Sequence, residues 1–402
     1  MKDNTNKQEN WRSENELLLN CLGIGTNALN VYSIESLAIS DWKSIIQKAS
    51  DHKVAPILYY HLGKNGMTDY VPGEVLLKLH KIYLASLSRN MRIYTQLSKL
   101  LTELKNENIQ VIVLKGAALA EQVYETIALR PMIDVDLIMK SDDIQKLNYV
   151  LLKQGWKNEE YLNKMKSHEK YSKHINYTNG IISIEVHPKL YELPRLDPWV
   201  NAINTKIAST DTFVLGKEVF LMHLCLHLDD HYRTGLEFNL IWYLDIAKFI
   251  ERYRDDINWD YVIETSKKNR VERSMHRVLL VINEGFSEYV TTETLNQLKN
   301  DQNNIHINDV FNSINNPIRH FYSLLSEVFG PRILPVNNRV YIALGNIFPC
   351  KAYMISRYMI KHERFLYLYY FLRIIIGVSK FFKGLYYLPS YLKKRNKNRN
   401  KL

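Results

Sequence analysis

Residues 111–140 read VIVLKGAALAEQVYETIALRPMIDVDLIMK, and this stretch decides the fold. It opens on the apolar run Val111-Ile112-Val113-Leu114, whose length suits a buried strand. Lys115-Gly116 breaks the run, and Ala117 to Tyr124 follows with helical composition and no breaker. After Arg130-Pro131 a second strand pattern runs from Ile133 to Met139. Alternation sets Ile133, Val135, Leu137 and Met139 on one face and Asp134 and Asp136 together on the other. Carboxylates so close repel, and the usual compensation is a cation. Two solvated Asp on an edge strand would share this spacing. The order of strand, Gly turn, helix, Arg and D-x-D strand is more specific than an isolated pair.

Downstream, strand patterns at Tyr171–Tyr177 and Ile181–His187 flank Thr178-Asn179-Gly180, a strong hairpin signal. In the second of them Ile182, Ile184 and Val186 share one face. Ser183, Glu185 and His187 share the other, so Glu185 and His187 lie side by side.

Taken together, LKG, Arg130, the DVDL run and the later Glu185 resemble the nucleotidyltransferase superfamily, which includes DNA polymerase beta. More narrowly they resemble its functionally uncharacterised bacterial branch, often found among biosynthetic genes. The resemblance implies an α+β fold, with a mixed sheet core flanked by N- and C-terminal helical regions. It implies that Asp134, Asp136 and Glu185 form a catalytic and metal-binding set for Mg²⁺ or Mn²⁺, with an NTP as donor. Lys115 and Gly116 would meet the triphosphate at a helix start, where free N–H groups also face phosphate. Arg130 would bind phosphate or stabilise its turn. The superfamily's commonest turn places Ser or a second Gly after the first Gly; here Ala117-Ala118 follows Gly116, and Lys115 takes over.

The 402 residues suffice for a substantial core and two or three subdomains. Cys21, Cys225 and Cys350 are far apart with no C-x-x-C, which argues against a disulfide framework and fits a reduced, cytoplasmic setting. The polar start MKDNTNKQENWRSE lacks the apolar core of a signal peptide. The net charge of +11 is uneven: Lys351 to Leu402 holds thirteen Lys or Arg against one acid, Glu363. That segment carries +12 and leaves about −1 for the first 350 residues, so nucleic-acid binding at the D-x-D region gains no support.

Two further units read as helix pairs. DWKSIIQKASDHKVAPILYYHL (41–62) and NWDYVIETSKKNRVERSMHRVL (258–279) align without a gap, Trp42 on Trp259 and Val54 on Val271. Each has an Asp or Asn cap, a Trp in the first turn, a polar break and a second helix, by duplication or as two similar pairs. Another long helix is expected from about Val75 to Asn106. From Val219 the pattern is helical. His223, His227 and His231 stand four apart, but with Leu and Cys between them they suit packing better than zinc. Asp245 in the apolar segment WYLD needs an Arg or His partner.

The expected organisation is a disordered leader (1–13), an N-terminal helical region (14–83), a catalytic core (84–200), a C-terminal helical domain (215–390) and a basic tail (391–402). FLYLYYFLRIIIGVSKFF is too interrupted by Arg373 and Lys380 to span a bilayer comfortably. It reads as a core helix before the tail, or as an aromatic basic helix in a membrane interface, peripheral to an anionic surface. The tail itself suits weak contact with an anionic membrane or RNA. The function classes left open are transfer of a nucleoside monophosphate to a small molecule or peptide, toxin-like modification of tRNA or protein, and a non-catalytic nucleotide-binding scaffold.

Overall fold

The computed structural model describes residues 37–158, 175–234, 239–298 and 363–375, with isolated positions at 15, 18–20, 22, 34, 35, 310, 354 and 378. In chain order the main elements are α1 (Ile39–Asp51), α2 (Ala55–Lys64), α3 (Gly73–Asn106), β1 (Val111–Val113), α4 (Lys115–Gln122), β2 (Asp134–Met139), α5 (Ile144–Lys153), β3 (Lys157–Asn158), β4 (Ile175–Thr178), β5 (Ser183–His187), β6 (Ile203–Ile207), β7 (Thr210–Val214), α6 (Lys217–Thr234), α7 (Leu240–Arg252), α8 (Trp259–Asn269), α9 (Glu272–Gly285) and α10 (Thr292–Leu298). Residues 366–375 lie in a further helix, α11.

The chain divides into two compact units. The first comprises Met1–Val150, Gly180–Asp229 and Asn239–Phe311. Its strands run in the order β5-β2-β1-β7-β6 and form a mixed sheet. β2 pairs parallel with β5, β1 antiparallel with β2 and parallel with β7, and β6 and β7 close an antiparallel hairpin. The second unit comprises Leu151–Asn179, Asp230–Phe238 and Asn312–Leu402, and includes the short antiparallel pair β3 and β4.

Helix α3 organises the first unit. At 34 residues it is about 50 Å long. Its buried face carries Val75, Leu79, Ile93, Leu97, Leu100, Leu101 and Leu104, each worth roughly 1.5–3 kcal/mol when fully buried. Three polar residues on that face fasten the segment before β2. The Ser86 hydroxyl donates to the Ala128 carbonyl at 2.7 Å, the Asn90 amide to the Arg130 carbonyl at 2.9 Å, and the Tyr94 hydroxyl to the Ala117 carbonyl at 2.6 Å. Buried polar groups on an otherwise apolar face are tolerated because each side chain makes a hydrogen bond, although the Asn90 Oδ1 atom has no partner of its own.

The two Trp-bearing units share the backbone of the break between their helices. Lys53 and Arg270, aligned in sequence, both adopt left-handed conformations with φ of 61° and 59°. Each ends its helix with the same pair of bonds. Lys53 N–H reaches Ser50 C=O and Val54 N–H reaches Ala49 C=O, as Arg270 reaches Lys267 and Val271 reaches Ser266. This is the Schellman cap without its usual glycine. The caps at the other end differ. Asn258 is the N-cap and accepts from Tyr261 N–H, whereas Asp41 lies inside the first turn and accepts from Ala38 N–H. Trp42 is fully buried, and Trp259 is partly exposed.

Two local expectations change. β2 begins at Asp134, and Ile133, expected on the core face, is 66% exposed. The β6–β7 hairpin had no counterpart in the sequence reading. Its turn is Ala208-Ser209, both at positive φ (52° and 61°), without the Asn-Gly or Asp-Gly that marks such turns. The Ala208 N–H donates to Glu121 Oε2 at 2.9 Å, a tertiary contact that supports the strained turn.

Candidate active site

The parallel pairing of β2 with β5 sets Asp136 opposite Glu185 and Asp134 opposite Ser183. The alternation that puts both Asp on one face also puts Glu185 and His187 there. Leu114, at the end of β1, donates its N–H to the Asp136 carbonyl at 2.9 Å. Lys115 is thereby placed over the same strand. It starts α4 at φ 45°, a left-handed conformation costly for a side-chain-bearing residue and of the kind found at functional sites.

The side chains converge. Lys115 Nζ lies 2.7 Å from Asp136 Oδ1, and His187 Nε2 donates to the same oxygen at 3.0 Å. His187 Nε2 is 3.9 Å from Glu185 Oε2. Asp136, Glu185 and His187 each offer one ligand atom within 4.8 Å of the others, the one such group among the described residues. Asp134 shares the Asp136 face and feels its charge, but stands outside that closest group.

Crowding anions out of water has large electrostatic effects. Burial, with the Asp136 and Asp134 charges added, pushes the Glu185 carboxyl up to about 8. Burial and Asp136 raise Asp134 as well. Burial also opposes the charge of Asp136, but Lys115 and His187 overcome it and hold that carboxyl well below the usual range. Lys115 thus pairs with Asp136, and the crowding of acids favours a proton on Glu185. Two carboxylates and an imidazole around one point are a chemically suitable donor set for a divalent cation, which would replace that proton.

Arg130 faces another way. Its Nε bonds both Asp245 carboxylate oxygens at 2.8 and 2.9 Å, and a terminal nitrogen reaches Asp245 Oδ2 at 2.7 Å. A fourth contact goes to the Pro131 carbonyl at 2.8 Å. The Tyr124 hydroxyl donates to Asp245 Oδ1 at 2.7 Å. This supplies the partner that Asp245 required, and it locks the turn before β2 to α7. A Cβ added to Gly116 would meet the Arg130 guanidinium at 3.5 Å, ordinary van der Waals contact. Tight packing therefore does not explain glycine there.

Sequence reasoning noted His187 without a role, and its alternation with Glu185 was the available signal. It missed Glu192 entirely. The Glu192 carboxylate lies 3.6 Å from the His223 ring on α6. Burial opposes its charge, but His223, its own backbone and Lys115 hold it at about 2. Of the three His on α6, His223 thus faces an acid from the loop after β5.

The fold and this cluster define a nucleotidyltransferase-type protein. The chain belongs to the family described as uncharacterised nucleotidyltransferase, whose model matches residues 39–287. Among solved structures, the solution structure of the antibiotic-resistance factor ANT(2″)-Ia aligns over 44% of this chain and 90% of its own, with 12% identity and a TM-score of 0.33. No curated protein matches the chain.

Proposed function

We propose that the protein transfers a nucleoside monophosphate from an NTP to a hydroxyl or phosphate of a small molecule or peptide, using a divalent metal. The family supports nucleotidyl transfer in general. The observation that carries the finer reading is the pairing of Asp136 with Glu185 on adjacent parallel strands, with Lys115 bonded to Asp136.

Asp134, Asp136 and Glu185 would hold the metal, with His187 as a nitrogen donor that favours Mn²⁺ over Mg²⁺. When bound, the ion neutralises charge on the attacking and leaving oxygens of in-line displacement at phosphorus. Lys115 leaves Asp136 and pairs with the triphosphate beside the first N–H groups of α4. Glu185, whose proton the ion would displace, would complete the shell of the ion that activates the acceptor hydroxyl. Arg130 acts through Asp245, holding the turn that sets β2 in place.

The test is incubation of the full chain with α-labelled NTPs, Mg²⁺ or Mn²⁺ and cell extract. An acceptor should gain label and the mass of a nucleoside monophosphate, and Asp134→Asn/Asp136→Asn should abolish the transfer. Equal labelling by that variant would exclude these carboxylates from the chemistry.

A further inference from the structure

Helix α11 is apolar on both sides. Leu366, Tyr369 and Tyr370 pack inward against the buried Met354. At about 100° per residue, Tyr367, Phe371, Ile375, Leu368 and Leu372 fill an arc of roughly 140° on the opposite side. That arc is solvent-exposed: Tyr367 by 81%, Phe371 by 61%, Leu368 by 51%, Ile375 by 47% and Leu372 by 41%. Arg364, also exposed, stands just before it with its guanidinium 5.0 Å from the Phe365 ring centroid. A contiguous apolar face of this kind marks an interaction surface.

The charge of the sequence that follows says what covers it. From Arg364 to Leu402 the sequence has ten Lys or Arg and no acidic residue. A second copy of the same cationic segment would be repelled. The aliphatic residues Leu368, Leu372 and Ile375 offer nothing to stack on bases, so the face exceeds what RNA phosphates require. Aromatic and aliphatic side chains flanked by cations match the headgroup region of an anionic bilayer. The described part of the helix, residues 366–375, is about 15 Å long. Among the described residues, no helix is long and apolar enough to cross a membrane.

We infer that α11 is a membrane-docking element: its exposed Tyr367–Ile375 face lies in the interface of an anionic lipid bilayer, and the basic residues that follow hold it there. The inference does not depend on the chemistry of the first unit.

The experiment is flotation of the full-length protein with phosphatidylcholine vesicles, with and without phosphatidylserine, at low and high salt. Binding should require the anionic lipid and weaken with salt. Tyr367→Glu/Phe371→Glu replaces two exposed side chains and should leave folding intact by circular dichroism while lowering vesicle binding at least about tenfold. Deleting residues 393–402, which include six basic residues, should weaken binding and reduce its salt dependence. Unchanged binding of the double Glu variant would overturn the inference. So would RNA binding without vesicle binding, or a dimer in sedimentation that the double variant dissolves while vesicle binding is absent.

Discussion

Replacing Asp245 with Ala perturbs the framework without touching the candidate metal ligands. Asp245 is 2% exposed and Arg130 6%, and the carboxylate receives three short contacts from the guanidinium and one from Tyr124. Truncation leaves a buried cation and a buried hydroxyl without their acceptor. Breaking such a pair from one side costs about 3–5 kcal/mol. At roughly 2–4 °C per kcal/mol for a domain of this size, Tm should fall by about 6–20 °C. Urea unfolding should show a lower midpoint with an unchanged slope. The double variant Arg130→Met/Asp245→Leu removes both charges and should recover most of the loss, because the penalty belongs to the unpaired ion. It should also keep nucleotide affinity, since Arg130 serves the turn. A loss under about 1 kcal/mol for Asp245→Ala would refute the reasoning, as would a double variant no more stable than the single. A stable double variant that no longer binds nucleotide would return Arg130 to the phosphate.

Other consequences follow from the same geometry. Lys115→Met should weaken NTP binding at least about tenfold yet tighten binding of free Mn²⁺, because the ammonium competes for Asp136; calorimetric titrations showing both affinities reduced would contradict this. Glu185 titrates near 8 in the folded protein against an ordinary 4.5, so it binds a proton on folding. Its contribution is fully present below about 4.5 and is lost as pH rises through about 8, and Glu185→Gln should flatten that part of the metal-free stability profile. Mn²⁺ affinity should rise about tenfold per pH unit until near 8 and then level off, with release of a proton; a flat profile would show that Glu185 is no ligand. Arg270→Gly should stabilise by about 0.5–1 kcal/mol by relieving its left-handed backbone. Lys53→Gly should gain less, since it also loses the ammonium lying 6.0 Å from the Trp242 ring. Unfolding midpoints that fall for both would show that the shared cap is not strained.

The central β–α–β order was legible because strand length, breaker and alternation agreed from Val111 to Met139. The alternation that grouped Asp134 with Asp136 also grouped Glu185 with His187, and parallel register then brought Asp136 beside Glu185. Register was not in the sequence. It depends on which strands pair, and nothing local to β2 distinguishes a parallel from an antiparallel neighbour. The gapless Trp units were legible as helix pairs but not in their caps: Asp41 falls inside its first turn, and left-handed Lys53 and Arg270 carry no glycine to announce them. β6 and β7 stayed hidden for a related reason: Ala208-Ser209 is a poor turn sequence, and Glu121, 87 positions earlier, helps to hold it. Glu192 was equally invisible, because a lone acid in a loop acquires meaning only when α6 brings His223 against it. For α11, the face that packs and the face that does not are both apolar, so periodicity alone left its role open.

The most direct test of the central claim is the thermal response to Mn²⁺ and NTP together. At about 100 times Kd, binding to the folded site alone stabilises by about 2.7 kcal/mol, or roughly 5–10 °C in Tm. Wild-type protein should show that rise. Asp134→Asn/Asp136→Asn takes the buried Lys115 ammonium's partner away and should start from a lower Tm without ligand, and it should lose the metal-dependent part of the shift. A variant that responds to Mn²⁺ and NTP as wild type does would contradict the assignment of these carboxylates to the metal.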